Sequence, residues 1–124
     1  MTIVRLFIIE SRATLGQGLR LRIDAEPDLQ VIGDAPDCLS ALPRLSALRP
    51  AVVLVDIDCP KWDHRECATP VCQVAGRASL IILTLQDNAQ TECFAARVGA
   101  AAVVIKSLPT ETLLTAIREA SHAS

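Results

Sequence analysis

An uninterrupted apolar run, Ala51-Val52-Val53-Leu54-Val55, stops abruptly at Asp56. A short apolar run that is bounded by polar and turn residues is typical of a strand buried on both faces, as in a parallel sheet. Asp56 would then lie at the carboxyl end of the strand, which is the edge where open α/β sheets bind their ligands. The sequence therefore predicts that Asp56 faces a cleft.

The length and composition indicate one domain with an aliphatic core. A chain of 124 residues is long enough to bury a sizeable core without a second domain. Hydrophobic residues make up 51% of the sequence but aromatic residues only 2%. Valine, isoleucine, leucine and alanine must therefore fill the interior.

Charge, hydropathy and cysteine content disfavour several classes of protein. A net charge of -2 provides no basic surface for nucleic acid, so we expect this domain not to bind it. No segment approaches the roughly 20 apolar residues that span a bilayer, and the first residues do not resemble a signal peptide, so a cytoplasmic chain is expected. An odd set of cysteines without a Cys-x-x-Cys pair favours reduced thiols: Cys38, Cys59, Cys67, Cys72 and Cys93.

Apolar runs alternate with helical patterns along the whole chain. The predicted strands cover residues 3–9, 29–33, 51–55, 79–84 and 101–105. The first predicted helix is capped by Ser11 and turns Leu15, Leu19 and Ile23 inward. If Ser40 is the N-cap of the second helix, Pro43 falls in its first turn, so this helix is predicted either to start late or to be kinked.

Three more helices complete the predicted alternation. A weakly patterned helix covers residues 67–75, and the next is capped by Asp87 or Asn88 and closed by Gly99. The last helix begins at residues 109–111 and buries Leu113, Leu114 and Ile117. Strict alternation predicts an α/β fold with a doubly wound, five-stranded parallel sheet, flavodoxin-like in its order 2-1-3-4-5, within three α/β/α layers.

Polar residues follow four of the predicted strands. The first strand ends at Glu10-Ser11, the third at Asp56, the fourth at Thr84 and the fifth at Lys106. In a parallel sheet these ends share one edge, so two acids, a hydroxyl and a lysine should surround one cleft. Two carboxylates attract a hard cation such as Mg²⁺, and a lysine with a hydroxyl can hold phosphoryl oxygens.

These motifs resemble the receiver domain of two-component response regulators over essentially the whole chain. The run that ends at Asp56, with Pro60 four residues later, is similar to the phospho-acceptor motif of CheY-like receivers. Leu83-Thr84 resembles the family's switch hydroxyl, and the segment before Lys106 resembles the one before the family's lysine. Residues 25–29 and 113–118 look most like the NarL/LuxR branch.

The resemblance implies a function and a set of roles. Asp56 would accept a phosphoryl group from a histidine kinase, in contact with Thr84 and Lys106, as a phospho-acceptor rather than an enzyme, although self-dephosphorylation can follow. Mg²⁺ would be held by Glu10, by Asp56 and by the backbone carbonyl of Asp58. Ser11 stands where the family has its second acid, which predicts weakened Mg²⁺ binding.

Further departures from the family pattern leave a second interpretation open. Val103 takes the position of the family's aromatic switch residue, His64 replaces a glycine, and Ser107 replaces the proline after the lysine. Trp62 is expected to pack over the adjacent helix. The chain could therefore be a degenerate receiver that binds protein partners without phosphorylation.

Two alternatives from other classes fit less well. Asp56 and Asp58 also resemble the first motif of haloacid-dehalogenase-like phosphatases, as nucleophile and general acid. Those enzymes need a late pair of acids for Mg²⁺, and after Lys106 only Glu111 and Glu119 remain. A flavodoxin would need a phosphate loop rich in Ser, Thr and Gly, together with aromatic residues to stack on the flavin.

The resemblance also implies partners. We expect residues 1–124 to form a single receiver domain with no effector domain, whose output is transcription control through a DNA-binding domain outside this chain. A histidine kinase is the expected partner, and the receiver itself is expected to form a weak homodimer at most. The sequence does not identify the kinase, the signal or the target genes.

Overall fold

The computed structural model describes residues 2–58 and 78–122, which form five strands and four helices. The strands are β1 (Val4–Ile9), β2 (Leu29–Ala35), β3 (Val52–Asp56), β4 (Ser79–Thr84) and β5 (Ala102–Ile105). The helices are α1 (Ala13–Asp24), α2 (Cys38–Leu48), α3 (Ala89–Val98) and α4 (Thr110–His122). The helix predicted for residues 67–75 lies outside the described residues, as do Trp62, His64 and three of the cysteines, Cys59, Cys67 and Cys72.

All strand pairs are parallel, and the sheet order is β2-β1-β3-β4-β5. The predicted order 2-1-3-4-5 is therefore confirmed. Since β3 lies between β1 and β4, Asp56 is placed near the middle of the sheet's carboxyl edge. This position brings it within reach of side chains from both flanking strands.

Successive residues of each strand point to opposite faces of the sheet, and the buried residues on each face form an aliphatic core. One core packs β-strand residues such as Phe7, Val53 and Ile82 against α2 and α3. The other packs Leu6, Leu54 and their neighbours against α1 and α4. The three-layer α/β/α architecture is thus confirmed, because each central strand is covered on both faces.

The predicted helix ends are correct in the second half of the chain. The Asn88 side chain accepts a hydrogen bond from the Thr91 N–H at 2.9 Å and caps α3. Gly99 ends α3 with a positive φ of 69°, a backbone conformation that glycine adopts without strain. In α4 the predicted inner residues Leu113, Leu114 and Ile117 are all buried.

Two predictions for the first half are wrong at the helix starts. Ser11 does not cap α1, because the N-cap position is Arg12, whose side chain makes no capping hydrogen bond with the described residues. The N-cap of α2 is Asp37 instead of Ser40, since its carboxylate accepts the Ser40 N–H at 2.7 Å. Pro43 consequently lies inside α2, past the first turn. In α1, Ile23 is buried as predicted but Leu15 is exposed.

An ion-pair cluster joins the last helix to the turn before β2. Arg118 Nε lies 2.8 Å from Asp28 Oδ2, and Arg118 Nη2 lies 2.9 Å from Glu26 Oε1. The guanidinium contacts both oxygens of Asp28, which is the geometry preferred by arginine and carboxylate. This cluster fixes α4 against the turn that leads into the outer strand β2. Helix α4 itself packs on one face of the sheet, where it also covers β5.

Candidate functional site

Asp56 is a buried carboxylate at the end of β3 with cationic and backbone partners. Its Oδ2 lies 2.6 Å from Lys106 Nζ and 3.3 Å from Arg12 Nη2, and its Oδ1 accepts the Asp58 N–H at 2.9 Å. Burial is the largest influence on the pKa of Asp56 and raises it, but the adjacent Glu10 carboxyl and the hydrogen bond from Lys106 outweigh burial and lower the pKa below its ordinary value. The group is therefore ionised at neutral pH.

Lys106 reaches Asp56 from the end of β5, across the intervening strand β4. Its backbone N–H donates to the Thr84 carbonyl at 2.8 Å, which fixes the turn that follows β5. Its ammonium contacts Asp58 Oδ2 at 3.0 Å in addition to Asp56. One cation thus bridges two carboxylates that would otherwise repel each other.

Glu10, which follows β1, lies beside Asp56 and is also buried. Its Oε1 accepts the Arg12 N–H at 2.9 Å, whereas its Oε2 is buried and has no hydrogen-bond partner among the described residues. Burial, followed by the adjacent Asp56 carboxyl, raises the pKa of Glu10 above its ordinary value. The two carboxyls therefore form a pair in which a proton or a cation is favoured between them.

Thr84 and Asp58 contact each other at the edge of the site. The buried Thr84 hydroxyl donates to Asp58 Oδ1 at 2.8 Å, and the Leu85 N–H donates to Asp58 Oδ2 at 2.7 Å. The resemblance to receivers assigned only the backbone carbonyl of Asp58 to the metal site. Its side chain in fact organises the loop after β4 and receives Lys106 as well.

Arg12 is the site residue that sequence reasoning missed. Its guanidinium contacts Glu10 Oε1 at 3.2 Å and Asp56 Oδ2 at 3.3 Å, so it lies across the two carboxyls. Hydrogen bonding to Glu10 raises the pKa of Arg12, which keeps the side chain charged. The sequence does contain a signal for it. A basic residue stands two positions after the acid that ends β1, and the position between them lacks the expected second acid.

The remaining predicted residues lie around this centre with smaller roles. Ser11 is exposed, and Val103 is partly buried against the core of α2 and α3. A cavity of about 200 Å³ opens beside Lys106 between α1 and α4, where Leu15 and Leu113 form part of an apolar wall. The polar end of this cavity holds Glu10 and Asp56.

The donor set fits Mg²⁺ through two carboxylates. Within residues 2–58 and 78–122, no group of three His, Cys, Asp or Glu side chains is arranged to hold a metal ion. Mg²⁺ nevertheless often binds through only one or two carboxylates, with water and substrate phosphate completing its shell. Glu10 Oε2, buried beside Asp56 and without a partner in the described part of the chain, supplies the kind of oxygen that such an ion needs.

Neither disulfides nor membrane helices occur in the described part of the chain. Cys38 is buried and Cys93 is exposed, and neither forms a disulfide there. No helix within residues 2–58 and 78–122 has the length and apolar character required to span a membrane.

Known proteins match this chain in sequence over most of its length, although no family model matches it. It is 26% identical over 119 residues to the uncharacterized transcriptional regulatory protein YxjL of Bacillus subtilis, covering 96% of this chain and 55% of that protein. It is 31% identical over 110 residues to protein-glutamate methylesterase/protein-glutamine glutaminase 4 of Myxococcus xanthus, covering 88% of this chain and 31% of that protein. The chain thus spans about half the length of the transcriptional regulators that it matches, and less of the methylesterase.

Comparison of the fold with solved structures identifies the same kind of protein. A two-component response regulator of the LuxR family from Aurantimonas sp. SI85-9A1 superposes with a TM-score of 0.86 at 21% identity, over 98% of this chain and 87% of that chain. Other matching structures are receiver domains of response regulators. The chain is therefore a relative of response regulators of the NarL/LuxR family and has the CheY-like fold of their receiver domains.

Proposed function

We propose that residues 1–124 form a single receiver domain in which Asp56 accepts a phosphoryl group from a histidine kinase. The observation that carries the proposal is the buried Asp56 carboxylate at the central strand end, 2.6 Å from the Lys106 ammonium. Its lowered pKa keeps it ionised and hence nucleophilic. Output then runs through a DNA-binding domain outside this chain, as the names of the transcriptional relatives suggest.

The transfer needs a nucleophile and a means to stabilise the phosphoryl oxygens. An Asp56 carboxylate oxygen attacks the phosphorus of a phosphohistidine, the phosphorus–nitrogen bond breaks, and its electron pair returns to the imidazole. Lys106 then contacts the phosphoryl oxygens of the acyl phosphate. Thr84 donates to the same group once its hydroxyl turns away from Asp58, a rotation about one side-chain bond.

Glu10, Asp56 and the Asp58 backbone carbonyl would hold Mg²⁺, and a bound Mg²⁺ would neutralise charge on the phosphoryl oxygens. Ser11 cannot contribute a carboxylate to this set, so its hydroxyl would reach the ion at most through weaker contacts. Loss of one charge-assisted contact corresponds to roughly one to two decades in affinity. We therefore expect Mg²⁺ to bind more weakly here than where two acids follow β1.

The chain's role is signalling rather than turnover. Receiver domains are in general not enzymes, although the methylesterase relative is named as one. The chain covers only 31% of that relative, so the name describes a protein with much additional length. A kinase is the proposed partner, with a homodimer that is weak at most.

A second candidate function is supported by Arg12. Arg12 and Lys106 both contact Asp56, so two cations compensate this carboxylate without phosphorylation or metal. A receiver of this kind can act as a phosphorylation-independent module that binds a protein partner.

One experiment separates the two functions. The protein is incubated with acetyl phosphate and excess Mg²⁺, and its intact mass is measured for wild type, Asp56→Asn and Asp87→Asn. Asp87 is an exposed carboxylate outside the site and serves as the matched control. The proposal requires one added phosphoryl group on wild type and Asp87→Asn but none on Asp56→Asn. If folded wild type never gains that mass, the phosphorylation-independent module is the correct function.

A further inference from the structure

Arg12 is held in the site by its own backbone as well as by its side chain. It lies at the N-cap of α1 with an extended backbone, φ -99° and ψ 108°. Its N–H donates to Glu10 Oε1 at 2.9 Å, and its Nε donates to the same oxygen at 3.2 Å. The far end of the guanidinium then meets Asp56 Oδ2 at 3.3 Å. These contacts place a permanent positive charge against both carboxylates that would bind Mg²⁺.

The charges of the cluster are nearly balanced without a metal. Three carboxylates, Glu10, Asp56 and Asp58, face two cations, Arg12 and Lys106. A divalent ion added to this arrangement would leave an excess of positive charge in a buried place. If the guanidinium left, the same ion would bring the cluster to neutrality.

Arg12 is the most solvent-exposed member of this cluster. The Arg12 side chain is 44% exposed, whereas the side chains of Glu10 and Asp56 are 2% and 3% exposed. The two carboxylates are therefore fixed by the sheet, and the guanidinium can leave them without disturbing the core. Glu10 Oε2, buried and without a partner among the described residues, stays behind as an oxygen that a metal would satisfy.

We propose that Arg12 is an intramolecular competitor of Mg²⁺: its guanidinium occupies the space between Glu10 and Asp56, and the metal binds only when Arg12 swings out. This deepens the function proposed above, because it makes metal loading of the receiver conditional on one side chain. A kinase or another protein that offers a carboxylate to Arg12 would favour the metal-loaded state.

Isothermal titration with MgCl₂, without any phosphodonor, tests the proposal. The variants are Arg12→Gln, which removes the charge, and Arg5→Gln, which removes an equal charge at the opposite end of β1. Arg12→Gln should tighten Mg²⁺ binding by about ten- to a hundredfold. Arg5→Gln should leave it unchanged. In the double variant Glu10→Gln/Arg12→Gln the gain should disappear.

Each contrary result overturns the proposal. Unchanged or weaker binding in a folded Arg12→Gln protein would mean that Arg12 does not compete, and an equal gain in Arg5→Gln would point to overall charge alone. A gain that survives in the double variant would put the metal elsewhere. Circular dichroism and the melting temperature establish folding of each variant. Since no phosphoryl transfer is measured, failure of the proposed phosphorylation would leave this test unaffected.

Discussion

The Thr84 hydroxyl donates a hydrogen bond to Asp58 Oδ1 across 2.8 Å, and it also accepts the Gln86 N–H at 3.2 Å. The hydroxyl thereby connects the end of β4 with the loop after β3. Thr84→Val keeps the shape of the side chain but removes both hydrogen bonds. We expect it to lower the free energy of unfolding by about 1–3 kcal/mol in urea denaturation. Thr84→Ser keeps the hydroxyl and should recover most of the loss; equal stability of Thr84→Val and wild type would contradict the assignment.

Gly33 has no room for a side chain. A Cβ there would lie 2.9 Å from Phe7 Cε2 and 3.0 Å from Arg44 Nη2. The sheet register is irregular at this point, since Leu6 pairs with Val31 but Phe7 pairs with Gly33. Because the Phe7 ring is fully buried, Gly33→Ala should destabilise the protein by about 1–3 kcal/mol.

Gly18→Ala is the matched control for that overpacking. Gly18 is exposed on α1, and a Cβ there would have no atom of residues 2–58 or 78–122 within 4 Å apart from its own helix backbone and chain neighbours. The substitution should stabilise the protein by about 0.5–1 kcal/mol, because alanine favours a helix interior over glycine. Chemical denaturation of both variants should show a lower free energy of unfolding for Gly33→Ala and a higher one for Gly18→Ala. A Gly33→Ala protein as stable as wild type would show that the Phe7 ring moves aside easily.

Pro43 interrupts the hydrogen bonding of α2. With Asp37 as the N-cap, residue 43 would ordinarily donate its N–H to the Leu39 carbonyl, and proline has no N–H to donate. Pro43→Ala should restore that bond and raise the free energy of unfolding by about 1–2 kcal/mol, part of the helix gain being offset by a more flexible unfolded chain. The midpoint of urea denaturation is the measurement, and a lower midpoint would mean that proline is favoured at this position.

The difference between the two helix starts shows what the sequence could and could not predict. The start of α3 was predictable to within one residue, because the candidate caps Asp87 and Asn88 are adjacent, and Asn88 is the cap. In α2, Asp37 and Ser40 both qualify as caps, and the proline favoured the later one; packing of the buried Cys38 and Ala41 against the sheet decides for the earlier start. Tertiary burial thus overrides the local cost of proline.

Some residues of the candidate site were also predictable from the sequence, and others were not. Residues that directly follow strands, such as Asp56 and Lys106, were predictable, because the sheet topology fixes where strand ends meet. Arg12 could not be placed from its position alone, since a charged residue at a helix start ordinarily extends into water. Its position over the carboxylates follows from its hydrogen bonds to Glu10 and Asp56, which become apparent only in the folded structure.

Acid should weaken the fold partly through the ion-pair cluster of Arg118. Hydrogen bonding with Arg118 lowers the pKa of both Glu26 and Asp28 below their ordinary values of 4.5 and 3.8. A carboxylate whose pKa is lower in the folded state stabilises the protein above its ordinary pKa, and this stabilisation is lost as the pH falls through the folded pKa. Stability should therefore fall as the pH drops below about 4.5.

Arg118→Gln tests this dependence. Its denaturation midpoint should fall less steeply with acid than that of wild type, since the two carboxylates then titrate near their ordinary values. Arg5→Gln is the control. It removes a charged side chain that donates a hydrogen bond to the Arg49 carbonyl, and it should keep the wild-type dependence of the midpoint on pH. Identical slopes for wild type and Arg118→Gln would exclude the cluster as a source of acid sensitivity.

The same cluster has a consequence for the order of folding events. Asp28 and Arg118 are 90 residues apart along the chain, so the contact between them closes a loop that contains most of the domain. Such a closure is entropically costly until the strands between the two residues have paired. The ion pair should then form after the folding transition state and stabilise a sheet that is already assembled. Stopped-flow measurements should accordingly find that Arg118→Gln unfolds faster than wild type while it refolds at nearly the same rate.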